Sequence, residues 1–132
     1  MDLEGKVRRV TTRERGLAAE DRALQHLQAQ GLRMVARNFK TPGRGGGEID
    51  LIMRERDGTL VFVEVRLRSR SDRGGAGASI TATKRRRIVL AARHFLLRCR
   101  SMPPSRFDAV LIDGPEGELQ WLRAAFDAGD AA

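Results

Sequence analysis

Glu48-Ile-Asp-Leu-Ile-Met-Arg54 and Leu60-Val-Phe-Val-Glu-Val-Arg-Leu-Arg68 are separated by five residues that contain Asp57-Gly58. Both stretches are apolar and rich in β-formers, and Asp-Gly is a turn signal, so they read as antiparallel strands of one hairpin. Pairing residues whose numbers sum to 114 sets Ile49 against Val65, Leu51 against Val63 and Met53 against Val61, an all-apolar face. The opposite face pairs Asp50 with Glu64, Ile52 with Phe62 and Glu48 with Arg66. A slip of one residue would mix the apolar face, so hydrophobicity selects this register. The register requires an odd-numbered loop or a bulge near Asp57.

Facing residues on one side of a sheet lie about 4.5–5.5 Å apart at Cβ. Two ionised carboxylates about 4 Å apart repel by ~4 kcal/mol at an effective dielectric of 20. Three things can offset that: a divalent cation, a shared proton, or an arginine such as Arg66. Strand alternation places Arg66 on the face of Glu64, so a salt-bridge cluster of Arg66 with Glu48 and Glu64 is the plain structural reading.

Working outward, Thr11 with Glu14 forms a capping-box pattern that opens a helix running to about Gln30, with Gly31 as its C-cap. Leu17, Leu24 and Leu27 share one line of it, and Glu20 lies on the same line. Leu32–Phe39 reads as a strand and Thr41–Gly47 as a loop; no helix follows Gly43–Gly47, as a P-loop would require. Beyond the hairpin, Ser69–Ser79 is a Gly-, Ser- and Arg-rich loop. A second helix spans about Thr81–Arg100, with Ile88, Ala92, Phe95 and Cys99 as its stripe. Met102-Pro-Pro-Ser105 ends it, and strands follow at Phe107–Ile112 and Leu119–Arg123 around a turn at Asp113–Glu118. The order α-β-β-β-α-β-β predicts an α/β fold, a mixed β-sheet flanked by helices.

The chain has 132 residues, the length of one domain. It divides into a polar N-terminal tail (1–10), one domain (11–126) and a short C-terminal tail (127–132). The single cysteine, Cys99, excludes an internal disulfide and a zinc site with two thiolates. No apolar run is long enough to span a membrane and no export signal opens the sequence, so the cytoplasm is the expected compartment.

Charge is local. Arg66–Arg100 holds eleven Lys or Arg and one acid, a net +10, while the rest of the chain sums to −2. A segregated positive field points to a polyanion, most simply nucleic acid. With no Tyr, five Phe and one Trp, contact is expected through phosphates, not through an aromatic stacking platform. Lys84, Arg85, Arg86 and Arg87, together with Arg68, Arg70 and Arg73, are the expected phosphate contacts. Four cations at a helix N-terminus oppose its dipole, a local conflict of the kind anion sites show.

Gly16–Ala23 (GLAAEDRA), Asn38, Gly47-Glu-Ile-Asp-Leu-Ile52 and Val61-Phe-Val-Glu-Val-Arg-Leu-Arg68 resemble the YraN-like family of uncharacterised bacterial proteins. So do Lys84, Arg87-Ile88 and Arg106-Phe-Asp108, and the resemblance runs from about Gly16 to Phe126. That family looks like a minimal branch of the PD-(D/E)XK nuclease superfamily, akin to Holliday-junction resolvases. The resemblance implies a restriction-endonuclease-like core, with Asp50 as the motif's first acid and Glu64-Val65-Arg66 in place of its E-x-K. It implies Mg²⁺ (or Mn²⁺) held by Asp50, Glu64 and the Val65 carbonyl, with Glu20 as the helical acid of resolvase-type members. It also implies DNA as substrate and a symmetric homodimer, although no exposed apolar stripe marks an interface.

Arg66 departs from the motif. An arginine stays protonated and cannot act as a base, although it can orient water or stabilise charge on phosphorus. Lys84 can supply an ammonium from another element. His26 and His94 read as ordinary helix residues, and Asp108 as a partner for a nearby arginine. Three functions stay open: a Mg²⁺-dependent, structure-selective DNA endonuclease, a non-catalytic nucleic-acid-binding protein on a nuclease fold, or a module that contacts an acidic partner.

Overall fold

In the computed structural model, the described residues are 9–43, 45–68, 80–114 and 116–131. They form α1 (Thr12–Ala29), β1 (Arg33–Lys40), β2 (Glu48–Arg54), β3 (Leu60–Arg68), α2 (Ala82–Leu96), β4 (Ser105–Asp113) and β5 (Leu119–Phe126). The expected α-β-β-β-α-β-β order is the observed one. One mixed sheet runs β1-β2-β3-β4-β5. Only β3 and β4 are parallel, and α2 is the crossover that a parallel pair requires.

The hairpin has the register read from the sequence over four pairs, Leu51–Val63, Ile52–Phe62, Met53–Val61 and Arg54–Leu60. Glu55–Thr59 then forms the odd-numbered loop, with Gly58 at φ +95°. Asp57 accepts the Thr59 N–H there at 2.9 Å.

The sheet buries both faces. On one, Leu51, Met53, Val61, Val63, Val110 and Ile112 pack under α1. On the other, Ile52, Phe62, Phe107, Ala109 and Leu111 pack with Ile88, Val89, Ala92 and Phe95 from α2. Burying one such side chain stabilises by about 1.5–3 kcal/mol. The Thr11–Glu14 capping box forms as expected, and Gly31 takes φ +99° just past the helix end. The buried stripe of α1 differs from the expected leucine line: it is Ala19, Ala23 and Leu27, while Leu17 is 39% exposed. Small residues let the helix lie close to the sheet.

Several boundaries move. The helix expected to reach Arg100 ends at Leu96, where the chain tightens into a turn: the N–H groups of Arg98 and Cys99 bond the carbonyls three residues back, Phe95 and Leu96. The last strand runs on to Phe126 instead of Arg123. The β4–β5 register shifts between Phe107 and Ala109, where Asp108 accepts the Ala124 N–H at 2.9 Å. The expected C-terminal tail contains a short 3-10 turn, Ala128–Ala131, packed on α2. Residues 1–8 and the Ser69–Ser79 loop, with Arg70 and Arg73, lie outside the described residues.

Candidate active site

The site lies where β2 parts from β3. Their pairing ends at Leu51–Val63. One residue further, the Asp50 carboxylate accepts the Val65 N–H at 2.8 Å, taking the place of a ladder partner. Ile49 belongs to the α2-side core and Leu51 to the α1-side core, so β2 twists through Asp50. The expected pairs Ile49–Val65, Asp50–Glu64 and Glu48–Arg66 are therefore not among the ladder pairs. The physical reason is the side-chain-to-backbone bond, which competes with the ladder.

The two acids still meet. Glu64 is 5% exposed. Burial pushes its carboxyl well above the ordinary carboxylate range, and the charge of Asp50 and a hydrogen bond with it push it further. Lys84, from the first turn of α2, opposes that rise only in part. Its Nζ lies 3.5 Å from Glu64 Oε2 and 3.8 Å from Glu48 Oε1. Arg87 Nη2 is 3.5 Å from the same Glu48 oxygen. Thr81 holds the helix start by accepting the Lys84 N–H at 3.2 Å.

The expected Arg66 salt-bridge cluster is replaced by this one. Among the described residues Arg66 bonds neither Glu48 nor Glu64, and its Nε is buried without a hydrogen-bond partner. The sequence leaves the cation open between the Arg66 guanidinium of β3 and the Lys84 ammonium of α2, and Lys84 is the one that stands beside Glu64.

Glu20 approaches from α1. Burial and then the Asp50 charge raise its carboxyl, while Arg37 and Asn38 pull it down through hydrogen bonds. Arg37 ties the helix to β1. Its Nε donates to Glu20 at 3.3 Å, Nη1 to Asp21 at 2.7 Å and Nη2 to the Leu17 carbonyl at 3.2 Å. Asn38 has φ +53°, a left-handed conformation that Asn tolerates better than most residues. Arg37 therefore turns to α1 while Phe39 packs on the α2-side core. Sequence reasoning does not give Arg37 this role; a polar pair inside an otherwise apolar strand is the available signal.

Residues 19–112 match the model of the uncharacterised protein family UPF0102. The chain is 70% identical over 125 residues to a UPF0102 protein of Paracidovorax citrulli, covering 95% of this chain and 91% of that protein. It is 69% identical over 118 residues to one from Acidovorax sp. strain JS42, covering 89% and 88%.

This chain belongs to family UPF0102.

In this UPF0102 protein the donor set fits a hard divalent cation. Asp50 and Glu64 supply carboxylate oxygens from rigid strands. Within a strand, the N–H and C=O of one residue face the same neighbour. The Val65 carbonyl therefore faces the gap into which Asp50 turns. Among the described residues, no three His, Cys, Asp or Glu side chains form a ready-made cage. The fitting set is two carboxylates and a main-chain carbonyl, with Glu20 outside it. A cation there would also relieve the repulsion that raises Glu64.

The basic start of α2 in the UPF0102 chain divides by role. Arg86 is exposed and bonds Thr83 within its own helix. Arg87 reaches the Gly46 carbonyl at 3.4 Å, and Arg85 donates to the Ile80 carbonyl at 2.8 Å. The glycine loop touches the helix directly: a Cβ on Gly47 would lie 2.0 Å from the Arg87 carbonyl oxygen. Arg68 is held by Asp113 at 2.9 Å.

Asp108, fully buried, pairs with Val63 in the β3–β4 register. It accepts from Arg106, from Trp121 Nε1 at 2.9 Å and from the Ala124 N–H, and Arg106 also pairs with Glu55. The arginine partner expected for Asp108 is Arg106. No helix among the described residues is long and apolar enough to cross a membrane.

Proposed function

We propose that the protein is a divalent-metal-dependent, structure-selective DNA endonuclease that hydrolyses phosphodiester bonds. The observation that carries this reading is the Lys84 ammonium 3.5 Å from Glu64, at the point where Asp50 turns to accept the Val65 N–H. Two acids at a strand divergence beside one cation are the parts that metal-assisted phosphodiester hydrolysis needs. The resemblance of Gly47–Ile52 and Val61–Arg68 to the PD-(D/E)XK motif implies the same two acids.

Asp50, Glu64 and the Val65 carbonyl would hold Mg²⁺ or Mn²⁺, which supplies Lewis acidity at the scissile phosphate. Lys84 stabilises negative charge that develops on the phosphate oxygens, held in place by Glu64 and Glu48. Arg66 keeps its proton and stabilises or orients without acting as a base. Glu20, held by Arg37 at 3.3 Å, would bind the metal through water or hold a second cation. The exposed cations of α2 hold the strand by its phosphates.

The test is incubation of branched, flapped and plain DNA with Mg²⁺ or Mn²⁺, with Glu64→Ala as control. Metal-dependent cleavage that the substitution abolishes supports the proposal. Salt-sensitive binding with no cleavage of any form would replace it with the binding-protein reading.

A further inference from the structure

The helix α2 turns one face away from the sheet. Ile88, Val89, Ala91, Ala92 and Phe95 are buried. Arg86, Leu90, Arg93 and Leu97, three or four residues apart, line up on the opposite side and are exposed. The turn that follows adds Arg100 and Met102, also exposed. Leu97 is 83% exposed and Met102 75%, more than any other large hydrophobic among the described residues. A single exposed apolar side chain is ordinary. Two on one turn, set among arginines, mark a surface that meets something.

The charge of the segment narrows what that is. From Ala82 to Pro104 the chain holds seven Lys or Arg and no acid. Arg93 and Arg100 enter no ion pair among the described residues, and Arg86 bonds Thr83 in its own helix. Arg98 is fixed beside them, its guanidinium carbon 4.9 Å from the centre of the Phe39 ring. A second copy of this face would set like charge against it, so the occupant is negatively charged. The face is also continuous with the acid site, since the first turn of the same helix holds Lys84 3.5 Å from Glu64. Leu97 lies thirteen residues further on, about 20 Å along the helix axis. A nucleic-acid arm laid along α2 from the acids reaches it after about six steps of 3.4 Å. A bilayer or an acidic peptide matches the charge but not this continuity.

We propose that the turn after α2 is a wedge that meets bared bases where a duplex is interrupted. Phosphates lie on Arg86, Arg93 and Arg100, and Leu97 and Met102 lie against the face of a base at a fork, flap or junction. In a continuous duplex each base face is covered by its neighbour, and prising a step apart costs stacking. Where strands part, that face is already bare, and the two side chains bury apolar surface without this cost. Leu and Met are among the residues that act as such wedges. Arginines alone would hold any duplex alike; the apolar pair adds the preference for a break in it. The wedge rests on nucleic acid being the ligand of the acid site, and it holds whether or not that site cuts.

The test measures binding of the full chain, in EDTA, to a forked duplex and a continuous duplex of equal nucleotide count, by fluorescence anisotropy. The fork should bind about tenfold more tightly, with a change in emission from 2-aminopurine placed at its branch point. Leu97→Ser combined with Met102→Ser should bring the fork down to the duplex and leave duplex affinity as it was; both positions are exposed, so the fold is kept. Arg93→Gln with Arg100→Gln should weaken both DNAs alike. Equal binding of fork and duplex by the wild type, a preference that survives the double serine variant, or a double serine variant that loses both DNAs equally would each overturn the proposal. Tighter binding to vesicles of equimolar phosphatidylcholine and phosphatidylglycerol than to either DNA, lost in the double serine variant, would overturn it in favour of a bilayer. If neither DNA binds, the nucleic-acid reading falls with it; if both bind equally, only the wedge does. EDTA keeps cleavage out of the readout, so failure of the nuclease proposal and failure of this one are separate results.

Discussion

Lys84 Nζ and Glu64 Oε2 lie 3.5 Å apart, a contact between a helix start and the middle of a sheet that brings an ammonium to the paired acids. If this lysine does the work that the E-x-K motif gives to its own lysine, Lys84→Ala should lower metal-dependent cleavage by about 10²–10³-fold, the usual loss for one electrostatic group at a reacting oxyanion. Arg66→Lys should leave the rate within a few-fold of wild type. A large gain in Arg66→Lys, with little loss in Lys84→Ala, would assign the role to β3 instead. Single-turnover cleavage assays separate the two.

Asp50 and Glu64 should bind one Mn²⁺, measured by calorimetry, and Asp50→Ala should abolish the heat. Binding must displace the proton that burial and Asp50 keep on Glu64. Apparent affinity should therefore rise with pH, roughly tenfold per unit while one proton is released, and level off once Glu64 is ionised. A pH-independent affinity would place the metal elsewhere.

The same raised carboxyl sets a stability trend in the metal-free protein. Folded Glu64 holds its proton to a higher pH than the unfolded chain does, so the folded state binds more protons in that window. Stability must then fall as pH rises from the ordinary Glu value up to the folded one. Glu64→Gln removes the effect and should raise the melting temperature more at pH 8 than at pH 4.5. An equal shift at both pH values would contradict the buried, raised acid.

DNA binding in the absence of metal should be on the order of 10⁻⁴–10⁻⁶ M at physiological salt and weaken steeply as salt rises. Replacing Arg85, Arg86 and Arg87 by Gln should flatten the log–log salt slope by roughly 0.9 for every B-DNA phosphate that the helix no longer neutralises. Arg87 already faces Glu48, so its share should be the smallest. An unchanged slope would move the nucleic-acid surface off this helix.

Asp108→Ala should destabilise by about 3–5 kcal/mol, because it strips a buried charge partner from Arg106 and an acceptor from Trp121 and the Ala124 N–H. The midpoint of urea unfolding reports this directly. A loss below about 1 kcal/mol would mean that water replaces the carboxylate.

The hairpin register is legible because alternation of Leu51, Met53, Val61 and Val63 tolerates no slip. It stops being legible at Asp50, where a carboxylate captures a backbone N–H and the ladder ends; hydrophobic periodicity carries no mark of such a bond. The same event at Asp108 hides the extension of β5. In α1 the sequence reading favours large leucines, but close approach to a sheet selects Ala19 and Ala23. Glu20 is found for a reason only half right: its neighbour on the line, Leu17, is outside the buried stripe, and Arg37 fixes Glu20 instead. Four consecutive cations opening α2 are plain to see, but which of them reaches Glu64 depends on where the helix meets β3.

The bond from the Val65 N–H to Asp50 divides the two acids in their exposure to evolutionary drift. Asp50 ends a strand pairing as well as offering a ligand, so a lineage that gave up chemistry would still need an acceptor there; asparagine would satisfy the backbone. Glu64 has no backbone bond of this kind, only its contact with Lys84. It is buried beside a like charge, and glutamine would relieve the fold of that burden. If the proposed chemistry operates, position 64 is thus where its loss would first be recorded in a descendant.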